Sequence, residues 1–131
     1  MNKATEFLNT CKTFYVATTE GDQPRVRPFG AVAEYDGKTY ICTNNTKSVF
    51  RQIQSNEKVE ISGVAPDGKW IRISARAIAD PDKNAKAKML EANPMLKGMY
   101  NQDDGIFEVL YLKDATAVIS SFTDSPFTFT F

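Results

Sequence analysis

Residues 69–79, KWIRISARAIA, alternate polar and apolar side chains over the length of a long strand. Trp70, Arg72, Ser74 and Arg76 fall on one face. Ile71, Ile73, Ala75 and Ala77 fall on the other, because successive side chains of a strand point to opposite sides. A strand with one apolar face must bury it against more sheet, and the neighbouring segments supply it. KVEISGV at 58–64 alternates in the same way, and Pro66-Asp67-Gly68 between the two is a turn signal. TFYVATT at 13–19 is rich in β-branched and aromatic residues and reads as a strand. After the turn signal EGDQP, RVRPFGAVAEY at 25–35 reads as its hairpin partner, broken by Pro28 and Gly30. Asp36-Gly37 is the signature of a tight hairpin turn leading into TYICT.

Helical spacing interrupts this pattern in three places. Ala4, Phe7, Leu8 and Cys11 share one face of a short first helix. Val49, Phe50 and Ile53 do the same in the segment 43–55, TNNTKSVFRQIQS. Asp82 is placed to cap a third helix carrying Ala85, Ala87, Met89 and Leu90, which Pro94 ends, with a short turn at 95–100. Strand character returns at 106–119, with a bend expected at Lys113-Asp114, and the tail PFTFTF reads as a last strand. The order is helix, three hairpin-linked strands, helix, two strands, helices, two strands. Short antiparallel strands with few helices predict a mainly β chain closed into a barrel, which leaves no sheet edge exposed.

The chain has 131 residues, which suits one domain, 1–131, around one core. Lys plus Arg equals Asp plus Glu at 16 each, so the basic surplus of a nucleic-acid binder is absent and no nucleic-acid partner is expected. MNKATEFLNTCKTF has no long apolar run, so neither a signal peptide nor a membrane span is expected, and a cytoplasmic location follows. Cys11 and Cys42 are too few for a disulfide framework. The chain has no histidine. That removes Ser-His-Asp and Cys-His nucleophilic sites, histidine metal sites and a histidine-ligated haem. No metal site is expected, and the hard chemistry of an enzyme of this composition belongs to a bound cofactor.

The segment TNNTKS poses the functional question. With Asn45 or Thr46 as the N-cap, Lys47 sits in the first turn of the helix, against the helix dipole. It is either a solvated surface lysine beside an ordinary cap or one wall of an anion site. Arg25 and Arg27 stand two apart on one strand face, beside a proline that removes a ladder donor and a glycine that permits close approach. That stretch is either a bulged edge strand or a place for a planar ligand. Trp70 is a core or interface aromatic, or it flanks a bound ring. Phe127, Phe129 and Phe131 share one face and cover the core, a subunit interface or a ligand.

The order of these pieces resembles the pyridoxamine 5′-phosphate oxidase-like, FMN-binding split-barrel family, in its short single-domain form. FYVATTEGDQPRVRPFG is similar to the family's opening hairpin. DGKTYICTNNTKSVFRQIQSNEKVEISG is similar to its strand, Thr/Asn turn, lysine-bearing helix and next strand, and KWIRISARAIAD to the strand after that. The resemblance covers roughly residues 5–110. It implies a six-stranded antiparallel split β-barrel that forms a homodimer with two FMN sites at the subunit interface. Carried over, Arg27 and Lys47 hold the FMN phosphate, with Thr43 and Thr46 adding donors. Pro28, Phe29 and Gly30 run along the isoalloxazine, Cys42 belongs to the same site, and Trp70 approaches the flavin of the other subunit. Ala75 stands where the family often has Gly. No arginine follows Arg76, so the substrate-binding arginine segment of the true oxidase has no counterpart. The resemblance thus implies an FMN-dependent oxidoreductase with a small-molecule donor or acceptor other than pyridoxamine phosphate, and no side chain stands out as catalytic. A flavin carrier for FMN or F420, a haem-handling relative and a ligand-free dimer are the competing readings.

Overall fold

At the turn between the third and fourth strands, Asp36 and Gly37 both adopt left-handed backbone, with φ of 52° and 72°. Two successive residues of that kind form the tight turn whose twist matches a hairpin, which is why Asp-Gly is favoured there. The computed structural model describes residues 1–131. Its elements in chain order are α1 Lys3–Cys11, β1 Phe14–Glu20, β2 Gln23–Phe29, β3 Val32–Tyr35, β4 Lys38–Asn44, α2 Ser48–Ser55, β5 Lys58–Val64, β6 Trp70–Asp80, α3 Lys83–Ala92, a 3₁₀ turn Pro94–Gly98, β7 Phe107–Ser120 and β8 Phe127–Thr130. No helix is long and apolar enough to cross a membrane.

The sheet runs β2-β1-β5-β6-β7-β4-β3, all pairs antiparallel, with β8 added beside β7. Its two ends, β2 and β3, are successive pieces of one run of chain, joined at Gly30-Ala31. The barrel is therefore completed by a kinked strand: β2 pairs with β1, and β3 pairs with β4. Eight strands stand where the family resemblance implied six and the hydrophobic pattern seven. Two local causes explain the difference. The run at 25–35 divides at the kink, since Pro28 has no N–H to give a ladder. The Phe-rich tail pairs with β7 from Thr116 to Ile119 as an extra strand.

The bend expected at Lys113-Asp114 is a β-bulge. Ser74 pairs with Thr116 but Arg76 pairs with Lys113, so Ala75 alone faces two residues, and Asp114 takes φ 52°. Arg76 fastens the bulge by ion pairs to Asp114, at 3.1 Å, and to Glu57.

The alternation in β5 and β6 is realised as expected: Val59, Ile61, Ile71, Ile73, Ala75 and Ala77 are buried, while Glu60, Ser62, Arg72 and Ser74 are exposed. Those inward residues join Leu8, Phe14, Ile41, Phe50, Ile53 and Leu110 in the larger core inside the barrel. Each large side chain fully buried there stabilises the fold by about 1.5–3 kcal/mol. A second cluster, with Tyr40, Met89, Leu90, Phe107 and Val109, holds α3 against β3, β4 and β7. Asp82 caps α3 as expected, accepting from Asn84 N at 2.8 Å. Asn2 caps α1, accepting from Thr5 N at 2.8 Å, and its amide donates to Thr39 Oγ1, which ties α1 to the β3–β4 hairpin.

Candidate functional site

The kink between β2 and β3 is also where the chain builds a cavity. It has a volume of about 270 Å³, and β2, β4, the start of α2 and the segment Met95 to Tyr100 wall it. Of the nine residues singled out from the sequence, seven line it: Arg27, Pro28, Phe29, Gly30, Cys42, Thr43 and Lys47. Around Gly30 the cavity is open, since a β-carbon there would meet only the Lys12 carbonyl oxygen, at 3.8 Å.

Its two charged residues are both cations, and neither has a carboxylate partner. Arg25 and Arg27 leave β2 on the same face, yet their fates differ. Arg25 lies exposed in an ion pair with Glu20 at 3.0 Å. Arg27 is half-buried and held entirely by neutral acceptors: Nη1 donates to Val16 O at 3.1 Å and Thr18 Oγ1 at 2.7 Å, and Nη2 to Gln52 Oε1 at 2.7 Å. A guanidinium has five N–H donors, so two remain without an acceptor in the chain. Burial first, and then the charge of Arg25, lowers the Arg27 pKa from its ordinary value. Both effects describe a positive charge that lacks an anion.

Lys47 corrects the expectation for α2. It is the N-cap residue itself rather than a first-turn residue, and no side chain caps the helix. Neither expected cap is available. Asn44 Oδ1 accepts both the Thr46 N–H, at 3.0 Å, and the Thr46 hydroxyl, at 2.6 Å. The Asn45 side chain is drawn away to Gly105 O and Glu108 Oε2, at 2.8 and 3.0 Å. The Phe50 N–H turns back to Lys47 O at 3.2 Å, while the Ser48 and Val49 N–H groups have no acceptor in the chain, and the Lys47 ammonium makes no hydrogen bond or ion pair.

The rest of the wall is uncharged. Cys42 is half-buried, and burial pushes its thiol up to about 12 against the opposing pull of Lys47. It is a neutral thiol at physiological pH. Ala31, Val49, Met95, Leu96, Met99 and Tyr100, which sequence reasoning did not single out, complete the lining. The available signal was the cluster of apolar residues in the short turn after Pro94. Met95 and Met99 remain 69% and 67% exposed, far more than side chains packed only for stability.

Thr46 and Trp70 do not line the cavity. Trp70 lies on the outer sheet face, its ring 5.1 Å from that of Phe122, which is 94% exposed. Strand register links it to the cavity: Val64 pairs with Trp70, and the next row on that face runs Pro28, Tyr15, Ser62, Arg72. Tyr15, Val26 and Val64 are exposed on that face, in three successive rows. Of the tail aromatics, Phe129 and Phe131 pack on the larger core, whereas Phe127 stays half exposed under Lys3 Nζ, 5.5 Å from its ring centre.

A barrel completed by a kinked strand, with a cation-ended groove at the kink, defines a split-barrel protein of the type the sequence resembles. The sequence matches the pyridoxamine 5′-phosphate oxidase family over residues 1–116, and the chain belongs to that family. It is similar to a NimC/NimA family protein from Clostridium acetobutylicum, with 53% identity and a TM-score of 0.96 over 98% of this chain and 90% of that one. General stress protein 26 from Bacillus anthracis shares the fold at 19% identity and a TM-score of 0.77, over 97% and 95% of the two chains. A haem-binding protein from Mycobacterium smegmatis shares it at 17% identity and a TM-score of 0.71, over 99% of this chain and 59% of that one. No curated protein matches the sequence.

Proposed function

We propose that the chain is an FMN-binding flavoprotein, an oxidoreductase acting on a small substrate other than pyridoxamine phosphate, and that it works as a homodimer. The observation that carries this reading is the pair of cations without a counter-anion, Arg27 and Lys47, in the lining of an otherwise uncharged groove. A phosphate monoester carries nearly two negative charges at neutral pH. The two spare N–H groups of Arg27, the free ammonium of Lys47 and the uncapped start of α2 suit it. Thr43 adds a hydroxyl, and Thr46, just outside, supports the turn. The backbone from Pro28 to Gly30 offers peptide groups beside open space, where the polar edge of a flat ring can be held. When bound, FMN would supply hydride and electron transfer. The chain's own residues bind it, orient it and exclude water from one side.

Once a single phosphate occupies both cations, this subunit has no further charged lining residue to grip a second. That argues against a doubly phosphate-directed reaction such as the oxidation of pyridoxamine phosphate.

The homodimer is supported by the shape of the site. A cavity of about 270 Å³ falls below the range usual for sites that enclose a cofactor, so a second wall is required. The outer sheet face that exposes Tyr15, Val26 and Val64, with Trp70 and Phe122, runs up to Pro28, and a second copy seated there supplies that wall. In that arrangement Trp70 and Arg72 reach the partner's cavity.

One observation favours carriage without turnover as a second reading: no lining group is set up as an acid or base, and the Cys42 thiol is held neutral. The same experiment separates the readings. Absorbance of the purified protein is recorded before and after adding FMN and desalting, beside parallel samples with F420 and haem. Retained flavin that reduced nicotinamide bleaches supports the oxidoreductase. Retained flavin indifferent to every donor supports the carrier. A haem band without flavin, or no retained ligand at all, overturns the FMN assignment.

A further inference from the structure

Asn44 does not line the cavity, yet it touches what builds both of its ends. It is the last residue of β4 and is buried. Its Oδ1 accepts the Thr46 N–H and the Thr46 hydroxyl, at 3.0 and 2.6 Å, and its carbonyl accepts the Lys47 N–H at 3.3 Å. Those three bonds fold the turn that delivers Lys47 and the start of α2 to the cation end. On its other side, Asn44 Nδ2 donates to the Tyr100 hydroxyl at 2.7 Å, across 56 positions of sequence. Tyr100 forms the apolar wall, with its ring stacked on buried Phe107 at 5.0 Å. An amide fixes which of its atoms donates and which accepts, so the two sets of bonds constrain a single side-chain orientation. A shift of the Lys47 turn rotates the amide and alters the bond to Tyr100, and a displaced Tyr100 hydroxyl frees the amide in turn.

We propose that Asn44 is the positioning residue of the site: it couples the turn that carries Lys47 to the Tyr100 wall, so that an anion held at one end orders the surface that faces a substrate at the other. The identity of the anion as the FMN phosphate rests on the function proposed above. The coupling within the chain does not.

The test uses Tyr100→Phe, which keeps the ring on Phe107 and removes only the hydroxyl, together with Lys47→Ala and their double variant. Asn44→Ala is omitted from the decisive comparison because it leaves buried groups unpaired. Amide NMR spectra of the ligand-free protein come first. Tyr100→Phe shifts or broadens the resonances of Thr46, Lys47 and Ser48. Unchanged resonances there overturn the proposal whatever the cofactor is. Affinities for FMN and riboflavin come second. Tyr100→Phe weakens FMN roughly three- to tenfold, the range of one lost hydrogen bond, and weakens riboflavin less. In the Lys47→Ala background its effect on FMN disappears. An equal loss for both flavins, or additive losses in the double variant, makes Tyr100 an independent wall and overturns the proposal. Wild-type protein that binds neither flavin but shows the NMR coupling leaves Asn44 in its role and rejects the FMN reading instead.

Discussion

Arg27 Nη2 donates to Gln52 Oε1 at 2.7 Å, and the same oxygen accepts the Thr18 hydroxyl at 2.6 Å. Gln52 is buried on α2, so this one side-chain oxygen ties the guanidinium to the helix whose start borders the cavity. Gln52→Leu removes that acceptor from a strongly oriented cation and from a buried hydroxyl. The expected result is a loss of about 1–3 kcal/mol in stability, read by urea unfolding, and weaker retention of FMN. Unchanged stability would mean that Thr18 and Arg27 find other acceptors.

Removing the cations separates binding from folding. Arg27→Ala with Lys47→Ala weakens FMN binding by about 1.5–3 kcal/mol for each lost charge-assisted contact. The urea midpoint of ligand-free Lys47→Ala is unchanged, because that ammonium makes no bond, whereas Arg27→Ala gives up three hydrogen bonds to neutral acceptors and lowers it. Riboflavin, which has no phosphate, discriminates less between parent and variant. Equal FMN affinity in the two proteins sinks the phosphate assignment.

Gly63 lies where α1 crosses β5. A β-carbon there would stand 2.9 Å from Cys11 Sγ and 3.1 Å from Phe14 Cβ. Gly63→Ala therefore displaces the Cys11 thiol and crowds Phe14, at a cost of about 1–3 kcal/mol. Cys11→Ala, combined with it, removes the nearer clash and restores part of the loss, which a double-mutant cycle measures. Additive losses would show that Cys11 is not the obstacle.

Cys42 sets a pH dependence with a definite sign. Its thiol is raised from 9.0 to about 12 in the folded chain, mainly by burial. The unfolded chain thus gives up this proton at lower pH than the folded one. The contribution to stability is complete below pH 9 and is lost as the pH rises from 9 through 12. Comparing urea midpoints of the parent and Cys42→Ala across that window isolates the contribution from other groups, and the parent should fall more steeply. Iodoacetamide at pH 8 should modify Cys42 much more slowly than an unhindered thiol.

Much of this site is legible in the sequence because its parts are local. The turn signals fix which strands pair, and pairing brings Arg27, the Pro28–Gly30 stretch, Cys42, Thr43 and Lys47 to one place. What fails is whatever depends on competition for hydrogen bonds across the chain. Asn45 and Thr46 are both good caps by residue type, but Gly105, Glu108 and Asn44 claim them first. Met95, Leu96, Met99 and Tyr100 become a wall only because α3 docks on β3 and β4, and no local period records that. Asn44 is invisible for the same reason: its importance lies in a hydroxyl 56 residues away. The strand count is a smaller instance, since a kink in one strand of a barrel reads as a single run until its two halves choose different neighbours.

The bulge at Asp114 divides the labour of β7. Before it, β7 pairs with β4, which lines the cavity; after it, the same edge accepts β8. The family match ends at residue 116, close to that change of neighbour. Loss of β8 would therefore uncover the β7 edge beyond the bulge while leaving the β4 pairing beside the groove in place.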